Sequence, residues 1–147
     1  MHGNSFPEVD GHPIHTDPEE LKKENSFIAL YHQLKIDQDF ENQEVIGDIP
    51  AERYYGNTEY KLMLTHPTAD KIVRRSTQMK FRLQEGSGEA FYVIGAGDKG
   101  EAIGITQKDM EASLRTLHKM AHTLTAELTL ISVNKGRKGE IVKVRVN

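Results

Sequence analysis

The spacing of hydrophobic and polar positions divides the chain into segments, each with its own period. Phe27, Leu30, Tyr31 and Leu34 recur at i, i+3, i+4 and i+7, which places them on one face of a helix. Asp17, Pro18 and Glu20 precede them as a capping acid, a proline suited to the first turn and an acid that closes a capping box. Residues 18–36 are therefore expected to form an amphipathic helix. Tyr60, Leu62 and Leu64 alternate with Glu59, Lys61 and Met63, the period-2 pattern of a half-buried strand. Thr68 is placed to cap a second helix over 69–84, with Ile72, Met79 and Leu83 inward and Gly86 just beyond its end. Ala90–Ile94 is a nearly continuous apolar run, predicted to be a strand, and Glu101–Ile103 its brief return partner across Gly97-Asp98-Lys99-Gly100. Thr106 caps a third helix carrying Met110, Leu114, Leu117, Ala121 and Leu124, the strongest helical period in the chain. Leu128 and Leu130 begin one more strand. The Asn134–Gly139 turn then leads to Val142, Val144 and Val146 in the last.

From residue 59 the predicted order is β-α-β-β-α-β-β. This implies the α+β class: a two-layer sandwich with helices on one face of a mostly antiparallel sheet. Its first six elements match a ferredoxin-like β-α-β-β-α-β core, with an extra C-terminal strand. Three regions are expected. Residues 1–17 lack periodicity and read as a disordered arm, 18–58 as an amphipathic helix followed by an acidic linker, and 59–147 as the α+β domain.

Composition narrows the class. At 147 residues, 37% hydrophobic, with a mean hydropathy of −0.59, the chain suffices for one core and not two. No run approaches a membrane span and no secretory pattern opens the sequence. The absence of cysteine excludes disulfides and thiolate metal sites. The expectation is a soluble cytoplasmic protein with no membrane partner.

Charge is unevenly spread. Residues 1–58 hold twelve acids and four Lys/Arg, whereas residues 59–147 hold ten acids and fifteen Lys/Arg. An acidic N-terminal part on a basic body points to an anionic partner for the body, shielded by its own arm, or to ordinary surface variation. The candidate nucleic-acid-binding residues are Lys61, Lys135, Arg137, Lys138, Lys143 and Arg145, with Phe91 available for base stacking. Lys61, Lys143 and Arg145 are expected on the sheet face opposite the helices. Lysines flanking hydrophobic strands also protect sheet edges.

Other motifs are weaker. Gly95-Ala96-Gly97-Asp98-Lys99-Gly100 spells G-x-G-x-x-G after a strand, but no helix starts inside it and no acid follows at the ribose position. It reads as a hairpin turn. The sequence contains no G-x-x-x-x-G-K-[ST] phosphate loop. His118 and His122 have the i, i+4 spacing of a zinc pair, yet Lys119 stands where a metalloprotease carries Glu. They read as a solvated helix face, and His12 and His15 as part of the loose arm. Ser76, Ser87, Ser113 and Ser132 lie in no G-x-S-x-G context. No catalytic residue and no metal or cofactor ligand is assigned.

Several ordered blocks carry a resemblance. They are Gly56-Asn57-Thr58-Glu59-Tyr60-Lys61-Leu62, Thr77-Gln78-Met79-Lys80-Phe81-Arg82-Leu83, Glu85-Gly86-Ser87-Gly88-Glu89-Ala90, Ile94-Gly95, Met110-Glu111-Ala112-Ser113-Leu114 and Thr116-Leu117-His118. Over roughly residues 50–146 the chain resembles the region ahead of the GTPase domain in the GTP-binding protein 1/2 family, relatives of elongation factor Tu and elongation factor 1-alpha. The resemblance implies a non-catalytic N-terminal accessory domain, with the GTPase domain as its partner in cis. GTP and magnesium are then expected for the full-length parent, and no cofactor for this chain. It also implies contact with tRNA, ribosomes or other RNA, in translation or RNA quality control. No catalytic residue carries over, since no block here is a catalytic motif. The alternative drawn from charge is a stand-alone RNA-binding module using a basic sheet face.

Overall fold

The computed structural model describes residues 17–147. The expected N-terminal arm, apart from Asp17, and its His12 and His15 lie outside the described residues. The first helix, α1 (Pro18–Asp37), starts where expected, with the Asp17 carboxylate accepting from the Glu20 amide at 2.9 Å. Its inner face is Glu24, Phe27, Ile28 and Tyr31. Leu30, predicted inward, is 62% exposed, and Ile28 takes its place. A single 3-10 turn at Phe40–Asn42 buries Phe40. The chain then runs extended to β1 (Thr58–Lys61).

Helix α2 (Ala69–Glu85) buries Ile72, Ser76, Met79 and Arg82. The Thr68 hydroxyl does not cap it but donates to Asp70 at 2.7 Å, which holds the Asp70 carboxyl below its ordinary range. Gly86 is not left-handed either. It is required because a Cβ there would strike the Glu89 carbonyl, and Ser87 and Gly88 make the turn. After β2 (Ala90–Ile94), helix α3 (Gln107–Thr123) is capped by Thr106, which accepts from the Asp109 amide at 3.2 Å. It buries Met110, Leu114, Leu117 and Met120. Strands β3 (Leu128–Lys135) and β4 (Glu140–Val146) close the fold as a hairpin with a bulge between Leu130 and Ser132.

The expected α+β class is what forms: one four-stranded sheet of order β1-β2-β4-β3 with helices on one side. β1 and β2 are parallel through the α2 crossover, and the other two pairs are antiparallel. Glu101–Ile103, predicted as a strand, forms none. Its Ala102 and Ile103 carbonyls accept from the Arg137 and Lys138 amides, and the Ala102 amide donates to Asp48. Long-range partners claim its backbone, so the ferredoxin-like strand order loses one member.

Helix α1 shares the core with the sheet. Phe27, Ile28, Tyr31 and Phe40 join Tyr92, Ile94, Leu114, Leu117, Val142 and Val144 in one cluster. Buried charges fix the attachment. Glu24, 1% exposed, meets Arg115 at 2.9 Å and Lys119 at 2.6 Å on α3. Glu140 on β4 receives the Tyr31 hydroxyl and the Lys35 ammonium, the latter at 2.6 Å. Burial, followed by that hydrogen bond, pushes the Tyr31 phenol well above its ordinary value. Of the two α3 histidines, His122 is exposed as expected, whereas His118 is half-buried with its ring 5.9 Å from Phe27.

Candidate functional site

The sheet face away from the helices carries the sequence's candidate chemistry. On β2 and β4 the alternation is strict. Tyr92, Ile94, Val142 and Val144 point to the helices, leaving Phe91, Val93, Ile141, Lys143 and Arg145 on the other face. The lower part of that face is covered. Ile46 and Ile49 from the extended segment pack on Tyr60, Val93, Ala96, Ala102 and Ile141. The upper part remains open, and its register aligns Thr58, Phe91, Arg145 and Thr129 across the four strands. The Lys143 ammonium stands 4.8 Å from the Phe91 ring centroid, a cation–π pair. Arg145 lies 3.6 Å from the exposed carboxylate of Glu89.

The six predicted cations do not form one patch. Lys143 and Arg145 share the open face as expected. Lys61 does not: Glu59, its neighbour at i−2, meets Arg82 of α2, so both residues face the helix side, with the Lys61 ammonium 3.5 Å from Glu59. Lys135, Arg137 and Lys138 sit at the hairpin end. There the acidic segment contacts two of them, with Glu41 presenting its carbonyl to Lys135 at 3.0 Å and Asp48 its carboxylate to the exposed Arg137 at 2.6 Å. The Ala102 amide, and after it Arg137, hold the Asp48 carboxyl below the usual carboxylate range. Lys138 is exposed in the turn.

The glycine-rich loop is occupied by the chain itself. Gly100 has φ +86°, and a side chain there would meet the carbonyls of Ile49 and Pro50. The Ile49 amide donates to the Gly100 carbonyl at 2.8 Å and the Glu52 amide to that of Asp98 at 2.8 Å. The glycine thus serves close backbone packing, in a turn closed by Gly100 on Gly97 at 2.9 Å.

Sequence reasoning missed the loop before β1. Arg82, 3% exposed, donates to the carbonyls of Arg53 and Gly56 at 2.7 and 2.9 Å and to Glu59 at 2.7 Å. Glu85 accepts from the Gly56 amide at 3.0 Å. The pinned loop displays Tyr54 at 88% and Tyr55 at 53% exposure, with the Arg53 guanidinium 5.8 Å from the Tyr55 ring. The sequence signal was an Arg-Tyr-Tyr triplet in a stretch with no apolar period.

Among the described residues no helix is long and apolar enough to cross a membrane. Asp17, Glu20 and His122 bring three ligand atoms within 4.8 Å of one another at the surface, but Asp17 is already engaged as the α1 cap.

No protein-family profile matches the chain, and no solved structure matches it. It is similar to GTP-binding protein 2 of Mus musculus and of Homo sapiens, 47% identical over 83 residues in each. It is similar also to GTP-binding protein 1 of Xenopus laevis, 35% identical over 81 residues. The matches take in 56% of this chain and 14% of each GTP-binding protein 2, and 55% of the chain and 12% of GTP-binding protein 1.

Proposed function

We propose that this chain, homologous over its matched segment to GTP-binding proteins 1 and 2, is a non-catalytic accessory domain of an elongation-factor-like GTP-binding protein. It acts beside a GTPase domain in cis, in translation or RNA quality control. The identity of 47% over 83 residues carries the reading. The chain's own chemistry supports it. The sequence has no phosphate loop, and the G-x-G-x-x-G turn is packed against Ile49 and Pro50 at Gly100, so triphosphate and magnesium belong to the partner domain.

The test is to read the gene beyond the Asn147 codon and express the continued frame. The expected result is a G-x-x-x-x-G-K-[ST] loop downstream and magnesium-dependent GTP binding by the longer protein, with no heat when GTP is titrated into residues 1–147. A stop codon at that point, or GTP binding by residues 1–147, removes the assignment.

A second reading, RNA binding through the open sheet face, is favoured by the Lys143–Phe91 pair with Arg145 in the next strand position. Its sign is salt-sensitive binding to tRNA, ribosomal or other RNA that charge reversal at Lys143 and Arg145 removes.

A further inference from the structure

Beside β1 lies a cavity of ≈ 320 Å³ lined by Pro50, Arg53, Tyr55, Asn57, Thr58 and Tyr60 among others. It is built rather than incidental. Its loop hangs from the buried Arg82 through the Arg53 and Gly56 carbonyls, and its floor is tied by the Tyr60 hydroxyl donating to Pro50 at 2.7 Å. Glu52, the one acid in its lining, accepts from the Tyr60 amide at 2.6 Å and stands 3.7 Å from Arg82. Thr58 lines the cavity and is also the register partner of Phe91 on the open face. The cavity therefore adjoins, at Thr58, the first position of the row Thr58–Phe91–Arg145–Thr129. At about 4.8 Å per strand this row spans about 14 Å, room for two or three unstacked nucleotides.

Two facts select the occupant. The open face pairs an aromatic ring with half-buried cations, Phe91 with Lys143 and Arg145, against the acid Glu89. The loop holds tyrosines in water on a backbone already ordered, so stacking on them costs little further entropy. Aromatic faces alternating with phosphate-neutralising cations are what single-stranded nucleic acid requires.

We propose that the cavity and this strip form one site for a short single-stranded oligonucleotide. One base is held against Tyr55 and its neighbour rests on Phe91, while Lys143 and Arg145 neutralise the phosphate between them and the one that follows. The proposal rests on the sheet-face reading above and not on the kinship to GTP-binding proteins.

The experiment is fluorescence anisotropy of the full chain with fluorescein-labelled single-stranded RNA, single-stranded DNA, a blunt duplex and poly-glutamate. The expected result is micromolar binding to the single strands, weakening about 10-fold between 50 mM and 200 mM salt. RNA binding more tightly than DNA would show the 2′-hydroxyl is read; equal binding would show it is not. Both outcomes fit the site. Tyr55→Ala and Phe91→Leu should each weaken binding roughly 10-fold with unchanged far-ultraviolet circular dichroism. Lys143→Glu with Arg145→Glu should abolish it. Lys138→Glu, about 20 Å away along β4, should change it far less. If charge reversal abolishes binding while Tyr55→Ala leaves it intact, the sheet face binds nucleic acid and the cavity proposal falls. If no single strand binds, or poly-glutamate binds equally well, both fall, and the accessory-domain assignment still stands or falls on the downstream reading frame.

Discussion

Glu59 on β1 and Arg82 on α2 meet at 2.7 Å with side chains only 3% and 4% exposed. The guanidinium also donates to the Arg53 and Gly56 carbonyls, so a single buried residue ties a helix, a strand and the tyrosine loop together. Burying two charges is costly, and removing Arg82 leaves the buried Glu59 with only the more distant Lys61 ammonium, at 3.5 Å, a loss of up to about 3–5 kcal/mol. Arg82→Met is therefore expected to lower unfolding free energy by that order in urea titration. The double change of Arg82→Met with Glu59→Leu should recover a large part. Equal loss in single and double variants would show that the carbonyl contacts, and not the ion pair, carry the stability.

The outer edge of β3 is sealed by side chains that imitate a strand. Gln43 donates to the Val133 carbonyl at 2.8 Å and accepts from the Lys135 amide at 3.2 Å; Gln38 accepts from the Val133 amide at 2.9 Å. The Ile46 amide completes the row on the Lys135 carbonyl at 2.9 Å. An open edge invites pairing with another chain. Gln38→Ala and Gln43→Ala should each cost about 1 kcal/mol, and together raise the concentration-dependent light scattering of the folded protein. Unchanged scattering in the double variant would show that the backbone of residues 44–46 is a sufficient cover.

Elements with a local signal were legible in the chain. The α3 periodicity and Thr106 cap, the Ala90–Ile94 run and the Val142–Val146 alternation all describe what forms. What failed depended on distant partners. Glu24 turns inward on α1 only because Arg115 and Lys119 wait on α3, which rotates the helix so that Leu30 faces water. Glu101–Ile103 lost its strand to the β3–β4 turn. The site divided the same way. Phe91, Lys143 and Arg145 follow from alternation with core residues, whereas Lys61 was put on the wrong face because Arg82 draws Glu59, and Lys61 with it, to the helix side. Tyr54 and Tyr55 lay in a stretch whose order comes from a buried arginine in the next helix.

The glycine-rich turn tests a structural role against a ligand-binding one. At Gly100, φ is +86° and the incoming Ile49 carbonyl stands where a Cβ would go. An L-residue there pays for the left-handed backbone and displaces the segment from Ile49 to Glu52, a cost of roughly 1–3 kcal/mol. Gly100→Ala should lower the melting temperature by several degrees, and thermal scans of the wild type should not shift with added GTP, ATP or NAD. A nucleotide-dependent rise in melting temperature that Gly100→Ala removes would make the turn a binding site.

The contact between α1 and α3 should make stability depend on pH near neutrality. His118 lies against Phe27 with its Nδ1 buried and without a partner. Burial disfavours the imidazolium and sets the folded pKa below its ordinary value of 6.5; Glu24 opposes this, while His122, Lys119 and Lys23 reinforce it. The unfolded chain then binds this proton at a higher pH than the folded one. Stability present at neutral pH is accordingly lost as pH falls through about 6.5 toward the folded value. Melting temperature should decline over that window in the wild type and hold more nearly level in His118→Leu, which keeps an apolar side chain against Phe27 without a titrating group. Because the ring is only half-buried, solvent screens part of the effect, and the two proteins should show the same pH dependence above about pH 7.5, whatever constant offset the substitution adds. An identical decline in both would mean that the folded protein accepts the charge, and that α1 does not seal this side of α3 from water.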